Sequence, residues 1–156
     1  MKRFLTFATL VVLSLIGSGL LLAQSDPRIG TWKLDPAKST SENQTYARKS
    51  ETRTYESSGN TTVEAVMNDG SKRTYGYNNT PDGKDYPYTG QLPGGAETLS
   101  TKRVGDTFIG NSKKGGKVLY TTTNVVSKDG KTLTLTTKGT DANGQNIGSV
   151  RVYNRQ

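Results

Sequence analysis

The sequence predicts an all-β fold, an antiparallel up-and-down meander that closes into a small barrel of about eight to ten strands. Gly-containing turn signals recur roughly every ten to fifteen residues after position 55, as expected of short strands joined by tight turns. The runs between these turns are rich in Thr, Tyr, Val and Leu, which favour a pleated, half-buried surface. The turn signals lie at residues 57–60, 68–70, 81–83, 93–95, 105–106, 114–116, 128–130 and 143–144.

The low hydrophobic content favours a barrel over a sandwich of two sheets. Hydrophobic residues make up only 31% of the chain, against roughly 45–50% in typical domains on a slightly broader definition. A Greek-key sandwich is the alternative, but it needs two packed apolar faces and a long crossover connection, which the sequence does not offer. A closed barrel also removes exposed strand edges. We therefore expect a barrel whose interior is partly polar and encloses a cavity.

Residues 1–23 are interpreted as an export signal. Lys2 and Arg3 precede a mostly apolar stretch that ends at Ala23, a small residue suited to cleavage by a signal peptidase. A retained membrane anchor is the alternative, because the stretch approaches the length needed to cross a bilayer. The sequence thus predicts a periplasmic or secreted protein. Residues 24–156 are predicted to form a single domain that is not inserted in a membrane once the signal is removed.

The first predicted strand, residues 29–34, places Trp32 and Leu34 on one face. A polar loop rich in Ser and Thr follows over residues 36–47, where no helical apolar spacing is visible. The next predicted strands are residues 48–56, 61–67 and 72–77.

The segment at residues 78–95 is the richest in turn-forming residues. A short edge strand is expected at residues 86–89, because Pro87 cannot donate a hydrogen bond to a strand ladder. Residues 131–136 alternate Thr and Leu cleanly, which is typical of a strand with one apolar and one polar face. The remaining predicted strands are residues 96–104, 106–112, 117–127, 131–138 and 145–154.

The chain contains no Cys and no His, which excludes several chemistries. No disulfide can form, and the usual ligands of zinc, copper and haem are missing. The commonest general base and the commonest activated nucleophile pairs are missing as well. The Asp residues stand singly at turns without the spacing of a calcium loop. The sequence therefore predicts no metal and no cofactor.

The formal net charge of +8 is spread along the chain as single basic residues and doublets. A solvated surface explains this pattern, and weak attraction to anionic polymers or lipid headgroups is the functional alternative. There is neither a concentrated basic stripe nor a recognisable nucleic-acid-binding module, so no nucleic-acid partner is expected.

The two ends of residues 24–156 resemble the calycin superfamily. Gly30-Thr31-Trp32 resembles the G-x-W opening of lipocalins and fatty-acid-binding proteins. Arg151-Val152-Tyr153 resembles the R-x-Y pattern in the closing strand of the fatty-acid-binding branch, and residues 126–133 resemble its penultimate hairpin. Residues 32–39, 82–87 and 127–132 are similar to uncharacterised exported bacterial proteins described as lipocalin-like.

This resemblance implies a lipocalin-like barrel that holds a small apolar or amphipathic molecule. In the fatty-acid-binding branch, the residues that match Arg151 and Tyr153 bind the carboxylate of the ligand, and a forked guanidinium beside a phenol suits that role. In lipocalins, an Arg on the last strand instead packs across the G-x-W Trp. Arg151 over Trp32 would then close the barrel through a cation–π contact of ~1–2 kcal/mol. Exposure of Arg151 to solvent is a third possibility.

Two departures from the family pattern weaken what the resemblance implies. The fatty-acid-binding branch carries a pair of helices between its first two strands, where this chain has only the loop at residues 36–47. The lipocalin T-D-Y tripeptide has no match here. A barrel without the helical lid is expected to have an open mouth and weaker or broader binding.

The leading functional hypothesis is an exported, non-enzymatic barrel that binds a small hydrophobic or amphipathic ligand, carboxylate-bearing ligands included. Its predicted ligand-binding residues are Arg151, Tyr153 and Trp32, and we expect a monomer. The alternative is a cell-envelope interaction module whose basic, Tyr-bearing surface binds polysaccharide, anionic lipid or a protein.

Four tyrosines and one acid complete the set of candidate residues. Glu64 is the carboxylate we consider as a general base, but a lone acid without an orienting partner is a poor catalytic set, so no enzyme is predicted. The tyrosines either rim the mouth or fill the barrel as amphipathic side chains. They are Tyr75, Tyr77, Tyr86 and Tyr88.

Overall fold

A computed structural model describes residues 25–92 and 94–156. The predicted export signal, residues 1–23, lies outside the described residues. No helix within the two described ranges is long and apolar enough to cross a membrane.

The described residues form twelve strands and two short 3-10 helical turns. Two of the strands are only two residues long, which leaves ten longer strands, within the predicted range. The 3-10 turns span Pro36–Lys38 and Gln44–Tyr46. The strands are β1 (Gly30–Leu34), β2 (Thr40–Ser41), β3 (Arg48–Tyr55), β4 (Asn60–Met67), β5 (Lys72–Asn78), β6 (Asp82–Pro87), β7 (Thr89–Gly90), β8 (Thr98–Val104), β9 (Thr107–Lys114), β10 (Lys117–Val126), β11 (Thr132–Gly139) and β12 (Ser149–Arg155).

The strands pair in an antiparallel sheet that wraps into a nearly closed barrel. Their order is β6-β8-β9-β10-β11-β12-β1-β3-β4-β5-β7. The last long strand lies beside the first, with Trp32 opposite Arg155 and Leu34 opposite Tyr153. Among the described strands, β5 and β6 pair with β7 and β8 rather than with each other, which leaves a gap in the ladder. The prediction of an all-β, up-and-down barrel is confirmed.

The segment between β1 and β3 is more ordered than the predicted loop. It contains both 3-10 turns and strand β2, and Ser41 of β2 lies opposite Ser149 of β12. Pairing of β2 with β12 ties this segment to the rim of the barrel. The segment therefore crosses one end of the barrel.

Two further local predictions are wrong in detail. The turn expected at residues 81–83 lies at the beginning of β6, where Gly83 has a φ of +79° and the register shifts between Asp82 and Asp85. This irregularity lets the strand continue through a turn-forming sequence, because Gly adopts positive φ without strain. The last strand begins at Ser149 rather than at residue 145, since Thr140 and Asn146 form an isolated bridge around a turn.

Two apolar clusters lie at opposite ends of the barrel. Leu133 of the first cluster is near the beginning of β11, whereas Tyr120 of the second lies opposite Gly139 at the end of the same strand. Polar side chains occupy the space between them, as the low apolar content predicts. The first, called the Trp32 cluster, comprises Trp32, Leu34, Tyr55, Leu133, Leu135 and Tyr153. The second, called the mouth cluster, comprises Ala96, Tyr120 and Ile147 with Tyr46, Tyr88, Leu92 and Leu119 packed against them.

Candidate ligand-binding site

A buried carboxylate lies at the centre of the barrel, surrounded by cationic side chains. The side chain of Glu51 is fully buried and forms an ion pair with Arg48. Arg53 donates from Nε and Nη2 to Glu51 Oε1 at 2.8 and 2.6 Å. Arg151 Nη1 lies 3.9 Å from Glu51 Oε2, and Tyr153 donates to Oε1 at 2.9 Å. We call Arg48, Glu51, Arg53 and Arg151 the arginine cluster.

A β-bulge decides which basic residue of β3 enters the barrel. Strict alternation from Arg53 and Glu51 would turn Lys49 inward. The register against β4 shifts between Arg48 and Ser50, however, so that Lys49 and Ser50 are both exposed and Arg48 turns inward. Bulges commonly re-aim a side chain in this way. As a result, an arginine rather than a lysine contacts the carboxylate.

The arginine cluster carries an excess of positive charge. Three guanidinium groups face one carboxylate. Burial and the neighbouring charge of Arg151 lower the pKa of Arg48. Burial by itself would raise the pKa of Tyr75, but the charges of Arg48, Arg53 and Arg151 lower it to about 8. A local positive potential favours ionisation of a phenol, so the charge of Arg151 that helps to lower the pKa of Tyr75 also contributes, after burial, to the lowered pKa of Arg48.

Part of the hydrogen-bonding capacity of the cluster is unused. The Nε atoms of Arg48 and Arg151 are buried, and neither has a hydrogen-bond partner among the described residues. Arg151 Nη2 donates at 3.2 Å to both Thr137 Oγ1 and Ser149 Oγ. Buried donors without a partner are costly, because their hydration is lost without replacement. Two buried donors in this cluster thus lack an acceptor within the described residues.

A central cavity of about 60 Å³ adjoins the cluster. Arg48, Arg53, Arg151 and Thr137 line its polar wall. This volume holds roughly four water molecules and is far below the several hundred Å³ of a typical ligand pocket. A second cavity of about 60 Å³ lies on the other side of Arg48 and Arg151, beneath the segment between β1 and β3. The aromatic wall of the central cavity is formed by Tyr46, Tyr75, Tyr77, Tyr88 and Tyr120.

Side chains of the mouth cluster line the central cavity at the end where an open mouth is predicted. Tyr46, in the segment between β1 and β3, lines both cavities. Its hydroxyl donates to Asp141 Oδ2 at 2.5 Å. Burial, together with this hydrogen bond, raises the pKa of Tyr46 to about 12. The contact fastens the β1–β3 segment to the turn before β12, so a side-chain strap takes the place of a helical lid.

The opposite end of the barrel is closed by Trp32 and two other arginines. The guanidinium of Arg155 lies 4.1 Å from the centre of the Trp32 ring, and Trp32 Nε1 donates to the carbonyl of Arg28 at 2.7 Å. The Arg28 guanidinium lies 3.6 Å from the centre of the Phe108 ring. The cation–π closure expected of Arg151 is therefore made by Arg155, while Arg151 faces the central cavity.

The predicted site residues differ in their positions. Arg151 lines the cavity, whereas Tyr153 lies behind it with its hydroxyl on Glu51. Trp32 is fully buried in the Trp32 cluster and does not line either central cavity. Contact of these three residues with a ligand stays a prediction. Glu64 is exposed on the outer face of β4.

Sequence reasoning missed Arg48, Glu51, Arg53 and Tyr46. Glu51 and Arg53 alternate with Tyr55 at a spacing of two, so a shared inward face was visible in the sequence. Arg48 could not be predicted to face inward because the bulge changes the alternation, and Tyr46 could not be predicted because its loop is polar.

Of the predicted tyrosine group, Tyr75, Tyr77 and Tyr88 line the cavity. Tyr86 instead donates a hydrogen bond to Asp82 in an exposed position.

Within residues 25–92 and 94–156, no group of three or more acidic side chains is placed to hold a metal ion.

No protein-family model and no curated protein matches the sequence. A solved structure of zebrafish ileal bile acid-binding protein complexed with cholic acid is similar to this chain, with a TM-score of 0.49 and 14% sequence identity. The alignment covers 83% of this chain and 99% of that chain.

Proposed function

We propose that this protein is an exported, monomeric barrel that binds a small amphipathic anion. The anionic group would contact Arg48 and Arg151 at the polar wall, and the apolar part would lie against the tyrosines and the mouth cluster. The observation that carries the proposal is the buried excess of positive charge with two unpartnered guanidinium donors. An anion supplies both the missing charge and the missing acceptors.

Binding rather than catalysis is proposed for this site. Glu51 is held by guanidinium groups and by the Tyr153 hydroxyl. Such partners favour the ionised carboxylate, which makes it a weak proton acceptor. The residues of the cavity wall are otherwise Tyr, Thr, Ser, Asn and apolar side chains, which bind and orient a ligand.

Entry of a ligand requires the mouth to open. The central cavity of about 60 Å³ accommodates a headgroup but not an alkyl chain. Release of Tyr46 from Asp141 would separate the β1–β3 segment from the turn before β12. The apolar part of the ligand would then replace side-chain contacts within the mouth cluster.

Calorimetric titration with amphiphiles of matched chain length tests the proposal. We expect decanoate, decyl sulfonate or decyl phosphate to bind at least about tenfold more tightly than decanol, because only the anions satisfy the cluster. Arg151→Gln should reduce the preference for anions, because it removes one of the two arginines with an unpartnered Nε. Lys49→Gln removes the same charge from the exposed neighbour of Arg48 and is the control. Equal binding of decanol and all three anions would reject the proposal.

The second candidate is an interaction module of the cell envelope, and the small size of the central cavity favours it. In this case the basic exterior would bind anionic polysaccharide or lipid, and the interior would only stabilise the barrel. Binding to vesicles of anionic lipid should then weaken steeply as salt is added. It should also be reduced by Lys49→Gln and unaffected by Arg151→Gln.

A further inference from the structure

Glu51 occupies the place that a ligand carboxylate would take. Its Oε1 accepts from Arg53 and from Tyr153, the phenol expected to bind a ligand. A second carboxylate bound at the same donors would lie against Glu51 and be repelled by its charge. The donors that remain include the Nε atoms of Arg48 and Arg151, two residues that line the central cavity.

The remaining charge exceeds what one carboxylate neutralises. Three guanidinium groups and Glu51 leave an excess of two positive charges. The described residues that line the central cavity include no Asp or Glu. Because the site is shielded from water, an uncompensated charge there costs more than at the surface. A bound group with two negative charges would neutralise the cluster.

The size and donors of the site also suit a tetrahedral oxyanion. The cavity adjoining Arg48 and Arg151 is about 60 Å³, enough for a group the size of a few water molecules. Arg48 and Arg151 also line the second cavity, so both residues lie between the two cavities. Tyr75 also lines the central cavity. Its lowered pKa is consistent with a positive potential from Arg48, Arg53 and Arg151.

We infer that the headgroup bound by the arginine cluster is a dianionic phosphate monoester rather than a carboxylate, an inference that rests on the proposed function. Arg48 and Arg151 would donate from their free Nε atoms to phosphate oxygens. Glu51 would stay in place as an internal counter-charge that holds the arginines in position. Free phosphate offers the same chemistry without the apolar part.

Titrations across pH test this inference. A phosphate monoester gains its second charge near pH 6, so decyl phosphate should bind about tenfold more tightly at pH 7 than at pH 5. Decyl sulfonate keeps one charge throughout and reports any titration of the protein itself. The ionisable groups that face the headgroup are Tyr46, Arg48, Arg53, Tyr75, Tyr77, Tyr88, Tyr120 and Arg151, with Glu51 and Tyr153 behind them.

The outcomes separate the inference from the proposed function. At pH 7, decyl phosphate should bind at least about tenfold more tightly than decanoate. Equal affinities of decanoate and decyl phosphate would overturn the inference while the proposed function stands, whereas no preference over decanol would reject both. If inorganic phosphate binds as tightly as decyl phosphate, the preference of the site for a dianion is supported, and the ligand is identified as free phosphate.

Variants sharpen the test. Arg48→Gln should remove most of the pH dependence of decyl phosphate binding, because the excess charge falls from two to one. Lys49→Gln should leave the pH dependence unchanged, since its side chain is outside the barrel. An undiminished pH dependence in Arg48→Gln would count against the inference. If Arg48→Gln does not fold, the comparison of decanoate with decyl phosphate on the unaltered protein still decides the question.

Discussion

Strand β12 carries two arginines whose surroundings differ. Arg155 lies over the Trp32 ring and donates to the backbone carbonyls of Pro27, Ile29 and Gly130 at 2.6, 2.8 and 2.6 Å. Arg151 contacts two hydroxyls at 3.2 Å and Glu51 at 3.9 Å, and its Nε has no partner among the described residues. The guanidinium of Arg155 is held by backbone carbonyls of the protein itself, whereas Arg151 retains one unpartnered donor, its Nε. The two arginines of β12 therefore differ in how far the protein satisfies them.

The largest effect is expected where the interior charge is removed. Glu51→Gln leaves three buried guanidinium groups without an anion, and the free energy of unfolding should fall by about 3–5 kcal/mol. Denaturant unfolding measures this change. Glu64→Gln removes the same charge from the exposed face of β4 and should change stability by less than about 0.5 kcal/mol. If the two variants lower the free energy of unfolding equally, the buried guanidinium groups do not depend on Glu51 as their counter-charge.

A smaller loss is expected at the closed end. Arg155→Gln removes the cation over Trp32 and its backbone hydrogen bonds, so the free energy of unfolding should fall by about 1–2 kcal/mol. The affinity for decyl phosphate should not change, since Arg155 does not line the cavity. A loss of affinity as large as that of Arg151→Gln would remove the distinction between the two arginines. Lys33→Gln, on the exposed face of β1, is the control.

The strap at the mouth should have a smaller effect on stability and a visible effect on kinetics. Tyr46→Phe removes the hydrogen bond to Asp141, and we expect a loss of about 1 kcal/mol in unfolding free energy. Decyl phosphate should associate faster in stopped-flow measurements, because the mouth opens more readily. Tyr86→Phe removes the hydrogen bond to Asp82 on the outside and should not alter the association rate. An unchanged rate in Tyr46→Phe would show that the strap does not control entry.

The smallest effect concerns the ionisation of Tyr75. Its pKa of about 8 is below the value of 10.0 expected in the unfolded chain. A lowered pKa favours the folded state at high pH, so stability should rise between pH 8 and 10 and this contribution should be lost as the pH falls through 8. The ultraviolet absorbance of tyrosinate should show one early titration step that disappears in Tyr75→Phe. Bound phosphate should raise this pKa by reducing the positive potential, and a pKa unaffected by phosphate would contradict the proposed site.

The sequence alone was enough to predict the strands and the closure of the barrel. Turn signals and alternating residues are local features, and they predict a meander that closes on itself. The structure confirms this closure, since β1 pairs with β12. The shared face of Arg151 and Tyr153 followed from a spacing of two along one strand, whereas their inward direction was implied only by the resemblance. The predictions were weakest where a local irregularity intervened, as at Gly83 in β6 and at the bulge in β3.

Only the tertiary structure decided which charges meet. Tyr153 and Glu51 are 102 residues apart in sequence, and the bulge that turns Arg48 inward depends on pairing between β3 and β4. The alternation of β12 directs Arg151 and Arg155 to the same face, and the register with β1 places Arg155 opposite Trp32. A repeat of two residues determines the face of a side chain, but its partners depend on how distant strands pair. The excess of charge inside the barrel is therefore a property of the folded chain.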